Sequence, residues 1–327
     1  MAEHQSSNRL HDMKLLFPYD GWLAKLDGIV LNASSRVKGM LAGKRKSSSL
    51  GSSLEFADYR AYIAGDDIRR IDWNLYGRTS KAYIRQYWDE QERSFQLYVD
   101  SSQSMRGFGE DEQNKWLFAM RAAASIGYLA LQSEDRMGLS LFNEREVFGQ
   151  LPNLYGKQAK FTLLMRLAEL IRTVQQQSHT ANEQQAPLTD VTDALMPFSD
   201  GSKLPRRAGV TWIFSDGLYE QGFEQLLANL QARQQQVVFV HILHREELEP
   251  QLEGELRLVD IETTQAKEVA MSQSIMERYK QGVAMFIDQL RTACERRGIT
   301  YYRMNCSEPL PDGFMKLLEQ GEQLRYR

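Results

Sequence analysis

Cysteine is nearly absent: the 327 residues hold two, Cys294 and Cys306, with no Cys-x-x-Cys spacing. That excludes a disulfide framework and a thiolate zinc site, and leaves two reduced thiols. Long apolar runs are missing too. No stretch nears the ~18 apolar residues of a bilayer span, so direct membrane insertion is not expected. The polar start, Met1 to Asn8, leads into no apolar signal core, and the expectation is a cytoplasmic protein. Charge of one sign is also lacking. Lys and Arg number 40 against 43 Asp and Glu, a net charge of -3, and nothing in that balance demands a nucleic acid or an anionic lipid. No Gly-x-Ser-x-Gly elbow occurs, and the five His residues show no metal-ligand spacing, His241 reading as a core residue of an apolar strand. Gly39-x-x-x-Gly43-Lys44-Arg45 is one residue short of a phosphate loop and has Arg45 where a hydroxyl would meet Mg²⁺.

What is present is oxygen chemistry at the ends of apolar runs. Phe95, Leu97 and Val99 lead directly into Asp100-x-Ser102-x-Ser104, which puts one carboxylate and two hydroxyls on a single loop. Such a set suits a hard divalent cation that takes oxygen ligands in an octahedron. A second apolar run, Val210 to Phe214, ends in Ser215-Asp216-Gly217. Thr189 is a candidate third hydroxyl, with Thr192 competing for that place. The candidate ligands are therefore Asp100, Ser102, Ser104, Thr189 and Asp216, around Mg²⁺ first, with Mn²⁺ or Ca²⁺ as alternatives. So little negative charge leaves a cation electrophilic and open to an outside carboxylate.

The texture of the chain changes near residue 93. Residues 1–93 carry a basic, Ser-rich stretch near 36–53, expected to be a mobile loop, then a block at 55–89 rich in Tyr, Arg and Asp. From residue 94 to 327, strands and helices alternate. Helices are expected at Gln113 to Gln132, with Asp111 and Glu112 in the first turn, and at Lys157 to Val174, with Phe161, Leu164, Leu167, Ala168 and Ile171 inward. Gln175 to Ala186 reads as an exposed loop and Asp190 to Phe198 as a short helix. Strands are expected at Met137 to Phe142, Val237 to Leu243, Leu256 to Ile261 and Ile299 to Met304. A long helix before the last carries the stripe Ile275, Tyr279, Val283, Phe286, Leu290 and Cys294. Continuous apolar strands covered by helices describe a doubly wound α/β domain, whose ligands bind at the carboxyl ends of the strands.

The five oxygen-bearing residues resemble the metal-ion-dependent adhesion site of von Willebrand factor A-type domains. The block before them, Tyr59-Arg60-Ala61-Tyr62-x-x-Gly65-Asp66-Asp67-x-Arg69-x-Ile71-Asp72-Trp73, then Arg78 and Ile84-Arg85-Gln86-Tyr87, is similar to domain-of-unknown-function family 58. The resemblance implies a von Willebrand factor A-like, mostly parallel sheet flanked by helices, behind an N-terminal segment of loops and short strands. It also implies a bacterial partner of MoxR-type AAA+ ATPases, which assemble or mature other protein complexes. Residue by residue, Gly65 permits a sharp bend, Asp66, Asp67 and Asp72 bond nearby N–H groups or pair with Arg60, Arg69 and Arg78, and Ile71 and Trp73 turn into apolar surroundings. That describes a structural clamp between the N-terminal segment and the α/β domain better than an acid cluster. Two other functions stand beside a non-enzymatic adaptor: a metal-dependent phosphatase with Asp100 as nucleophile, and a structural domain with an empty site.

Overall fold

The structure is a computed structural model that describes residues 13–31, 55–88, 93–109, 113–181, 195–199, 201–219, 222–250, 254–259, 266–320 and 324–326. They fall in two units, one within residues 1–35 and 93–327 and the other within 36–92.

Near the start of the larger unit, helix α1 (Trp22–Asp27) leads into strand β1 (Ile29–Leu31). Leu16, Phe17, Trp22, Leu26 and Ile29 are buried in the same core as the central strands, so these early residues are built into the α/β unit. Trp22 donates its indole N–H to Ser125 Oγ (3.2 Å) and meets Phe314 edge to face.

The smaller unit is a hairpin with a capped insert. Strand β2 (Glu55–Ala61) precedes helix α2 (Trp73–Thr79) and pairs antiparallel with β3 (Tyr83–Trp88). Asp66 accepts from Ile63 N–H and pairs with Arg60 at 2.8 Å. Asp67 accepts from Arg69 N–H and starts a 3-10 turn at Ile68–Arg70. Asp72 caps α2, accepting from Asn74 and Leu75 N–H, and also takes the Tyr59 hydroxyl at 2.9 Å. Each aspartate of the string thus holds backbone N–H groups that a turn or helix start leaves open. Ile71 is buried as expected, but Trp73 is 62% exposed. As the first residue of a helix only two turns long, Trp73 projects beside Tyr76 instead of inward.

In the larger unit the chain continues through β4 (Ser94–Asp100), α3 (Lys115–Gln132), β5 (Arg136–Phe142), β6 (Val147–Tyr155), α4 (Ala159–Ala181) and β7 (Gly209–Ser215). Next come α5 (Phe223–Ala232), β8 (Gln235–Leu243), β9 (Gly254–Val259), β10 (Ala266–Met271), α6 (Gln273–Arg296), β11 (Thr300–Asn305), α7 (Leu310–Gln320) and β12 (Leu324–Tyr326). The six-stranded sheet runs β11-β8-β7-β4-β5-β6, parallel except for β6. Counted in chain order, this is the doubly wound arrangement 3-2-1-4-5-6, whose direction reverses between β4 and β7. Alternate residues of one strand serve opposite faces. Leu97 and Val99 join the core that holds α1, α3, α4 and α7, whereas Tyr98 joins the one that holds α5 and α6. The α/β, mostly parallel and helix-flanked fold expected from the sequence is the fold observed. Among the described residues no helix is long and apolar enough to cross a membrane.

Several local expectations change. Helix α3 buries every residue from Lys115 to Leu131, because sheet lies beneath it and α4 and α1 flank it. Its alanines and Gly127 permit that closeness: a Cβ on Gly127 would stand 2.6 Å from Met137 Cε. Its cap is Asn114, which accepts from Leu117 N–H; Asp111 and Glu112 lie outside the described residues. Helix α4 runs on to Ala181, into the first part of the stretch read as a Gln-rich loop, since Gln is a good helix former and no Pro or Gly interrupts it. On α4, Leu163 is buried and Phe161 is 45% exposed, an inversion of the expected register at that turn. The strand expected at Leu256 to Ile261 forms a separate antiparallel hairpin, β9 with β10, outside the main sheet. On α6 only Leu290 and Cys294 are buried, while Tyr279 lies partly open to solvent. Of the short helix at Asp190 to Phe198, the described part is a single 3-10 turn, Met196–Phe198. The Ser-rich stretch near 36–53 lies outside the described residues.

Candidate metal site at the ends of the central strands

Strands β4 and β7 flank the point where the strand order reverses, and each runs into an aspartate at its carboxyl end. After Asp100 the chain turns sharply: Ser102 N–H donates to Asp100 Oδ1 at 2.9 Å, the short local bond that lets an aspartate close a turn on itself. A single helical turn, Gln103–Arg106, follows. It brings Ser102 Oγ to 3.0 Å from Ser104 Oγ. On the neighbouring strand, Ser215 Oγ donates to Asp100 Oδ2 at 2.6 Å and accepts from Gly217 N–H at 2.9 Å. The chain reaches that bond through Gly217 at φ 71°, where a Cβ would also press within 2.6 Å of Leu290. Tyr219 adds its hydroxyl to Asp100 Oδ2 at 3.3 Å.

Asp100, Ser102 and Ser104 are all buried, and Asp216 is 1% exposed. Asp216 has a different set of partners: Leu218 N–H reaches Oδ1, and Lys115 Nζ lies 2.8 Å from Oδ2. The same ammonium is 2.6 Å from Glu247 Oε1, and Glu247 Oε2 accepts from His244 N–H. Lys115 also lies 5.2 Å over the Phe108 ring.

Electrostatics follow from those partners. Burial, and after it the charge of Asp216, pushes the Asp100 carboxyl up to about 7; bonds from Ser215 and Ser102 oppose the shift without cancelling it. Burial disfavours charge on Lys115, yet Asp216 and Glu247 outweigh it and hold the ammonium above its ordinary value. Burial and the Asp100 charge keep the Tyr219 phenol well above its own. Burial lowers the Arg106 guanidinium, while Glu144 and Asp100 nearby favour its charge.

Two features suit a hard divalent ion. Among the described residues, Ser102, Ser215 and Tyr219 bond Asp100 as neutral donors, so none of these bonds offsets its charge. The 3.0 Å between the two serine oxygens matches neighbouring ligands of an octahedron with bonds of about 2.1 Å. Among the described residues no three His, Cys, Asp or Glu side chains gather as a metal cluster. The donor set is thus hydroxyl-rich, which disfavours soft ions. Asp100, Ser102, Ser104 and Asp216 meet at one rim; Thr189 and Thr192 lie outside the described residues. Sequence reasoning missed Ser215 and Tyr219 as partners of Asp100, although both lie within three residues of Asp216. Lys115 and Glu247 carried no signal, because their pairing with Asp216 spans distant parts of the chain.

Fold and site together define a doubly wound α/β domain with an oxygen-lined rim at its switch point. The chain belongs to the DUF58 family of proteins of unknown function, whose model matches residues 58–292. Among curated proteins it is 26% identical over 261 residues to the uncharacterized proteins Rv1480 of Mycobacterium tuberculosis and Mb1516 of Mycobacterium bovis, covering 80% of this chain and 77% of each relative. Solved structures with slight similarity include the conserved hypothetical protein BatB from Bacteroides thetaiotaomicron, at 14% identity and TM-score 0.35, covering 71% of this chain and 98% of that one. The SpRpn10 VWA domain follows at 10% identity and TM-score 0.32, covering 70% and 95%.

Proposed function

We propose that this chain is a non-enzymatic, metal-dependent protein-interaction module, an adaptor for a MoxR-type AAA+ ATPase in the assembly or maturation of other protein complexes. The observation that carries the reading is Asp100, buried with neutral bonding partners beside two hydroxyls at octahedral spacing. Asp100, Ser102 and Ser104 would hold the ion, Thr189 would add a hydroxyl, and Asp216 would accept from metal-bound water. A divalent cation, Mg²⁺ first and Mn²⁺ or Ca²⁺ as alternatives, supplies an acceptor for an outside carboxylate. Ser215 and Tyr219 orient the Asp100 carboxylate, and Gly217 lets β7 end where Ser215 can reach it. The partner is an acidic group on the ATPase or its client, met in the cytoplasm without nucleic acid and without membrane insertion. A pull-down with the ATPase as bait tests this: capture should need the divalent ion and disappear with chelator or in Asp100→Ala. Capture that survives both treatments would falsify the docking role.

One observation favours a second reading. Lys115 brings to the rim a cation of the kind a metal-dependent phosphatase uses on phosphate oxygens. Its ammonium, however, is 1% exposed and already held by two carboxylates. Asp100- and Mg²⁺-dependent phosphate release from model esters would establish the hydrolase; the adaptor predicts none.

A further inference from the structure

Lys115 is an unusual residue to find at the head of α3. Every residue after it up to Leu131 is buried, and Lys115 is buried with them. Its Nζ joins three parts of the rim: the first turn of α3, the Asp216 carboxylate after β7, and Glu247 in the turn Arg245–Leu248 after β8. Both side chains of the Lys115–Asp216 pair are 1% exposed, whereas Glu247 is 16% exposed and keeps some contact with solvent. Solvent cannot screen the buried pair, so the ammonium decides how much of the Asp216 charge reaches the metal position.

We propose that Lys115 is the built-in counter-ion of this site: shared with Glu247, it offsets part of the Asp216 charge, so that a cation beside Asp100 keeps a positive charge for a partner carboxylate to answer. The inference rests on the metal-docking reading above. Asp100 and Asp216 end adjacent strands, close enough that Asp216 raises the Asp100 carboxyl. Two uncompensated carboxylates at that distance would bind a divalent ion tightly and satisfy it. With Asp216 tied to Lys115, Asp100 and neutral hydroxyls do the holding. The ion then binds less tightly and gains more from an outside acid. Lys115 is accordingly a positioning and charge-setting residue with no direct contact to the ion. A merely structural ion pair would change stability and leave ion affinity alone.

The test is calorimetric titration of Mg²⁺ and Mn²⁺ into the full chain as wild type, Lys115→Met, Asp216→Asn and the double variant, with circular dichroism reporting the fold. Lys115→Met should bind the ion about ten-fold more tightly, Asp216→Asn about ten-fold more weakly, and the double variant close to wild type. In the Mn²⁺-loaded proteins, acetate should displace metal-bound water, read as falling water-proton relaxation, at lower concentration in wild type than in Lys115→Met. A folded Lys115→Met with unchanged or weaker ion affinity overturns the inference and leaves the metal reading standing. If Lys115→Met does not fold, the double variant decides: affinity no better than that of Asp216→Asn overturns it. A wild type that takes up no ion at millimolar concentration sinks the metal reading, and this inference with it.

Discussion

The acidic residues of the smaller unit and those of the central sheet contrast in what surrounds them. Asp66, Asp67 and Asp72 sit in the most recognisable string of the chain, yet each accepts backbone N–H groups at a turn or helix start. Asp100 and Asp216 also take one backbone N–H each, but they stand singly at strand ends, buried, one otherwise bonded to neutral hydroxyls and the other to an ammonium. The density of acids along a sequence therefore says little about chemistry. Position in the fold and the identity of the neighbours decide whether a carboxylate caps, pairs or offers itself to a cation.

The contrast can be broken first at Asp100. Its carboxyl stands at about 7 in the fold against an ordinary 3.8. A raised folded-state value means that its contribution is intact below pH 3.8 and is lost as pH rises through about 7. In chelator, the wild type should lose stability between pH 4 and pH 8 from this group, and Asp100→Asn should not. Thermal unfolding across that range checks it; parallel curves for the two proteins would contradict the burial argument.

A smaller effect is expected in the smaller unit. Asp72→Ala removes a helix cap and the partner of Tyr59, and should cost about 1 to 2 kcal/mol. Divalent-ion affinity should stay at the wild-type value, since this aspartate belongs to the capping class. Hydrogen exchange at Asn74 and Leu75 reports the loss, and altered ion affinity would blur the distinction between the two acid sets.

The smallest effect belongs to Arg60→Ala. The Arg60–Asp66 pair faces solvent, and such pairs contribute little. No measurable change in unfolding temperature is expected. A clear drop would mean that the string acts as a network instead of a row of separate caps.

Much of this was legible in residue order alone. Strands β4, β7 and β8 were plain because their apolar runs end abruptly at Asp100, Ser215-Asp216 and His244, and doubly wound topology then placed both aspartates at one rim. The helical end of α4 was not legible, because Gln175 to Ala181 has no apolar periodicity and its helicity comes from propensity and continuity. Nor could Trp73 be placed, since two turns of helix leave either face free to turn outward. Lys115 stayed hidden for another reason. A lone charge heading an apolar helix finds its partner only once three separate rim segments have been folded together.

Titration of Mg²⁺ into the wild-type chain and into Asp100→Ala, followed by calorimetry, bears most directly on the central claim. The account predicts one-site binding by the wild type in the micromolar-to-millimolar range typical of weak oxygen-ligand sites, and none by the variant, with the fold of both unchanged. Equal binding by the two proteins, or no binding by either, would contradict it.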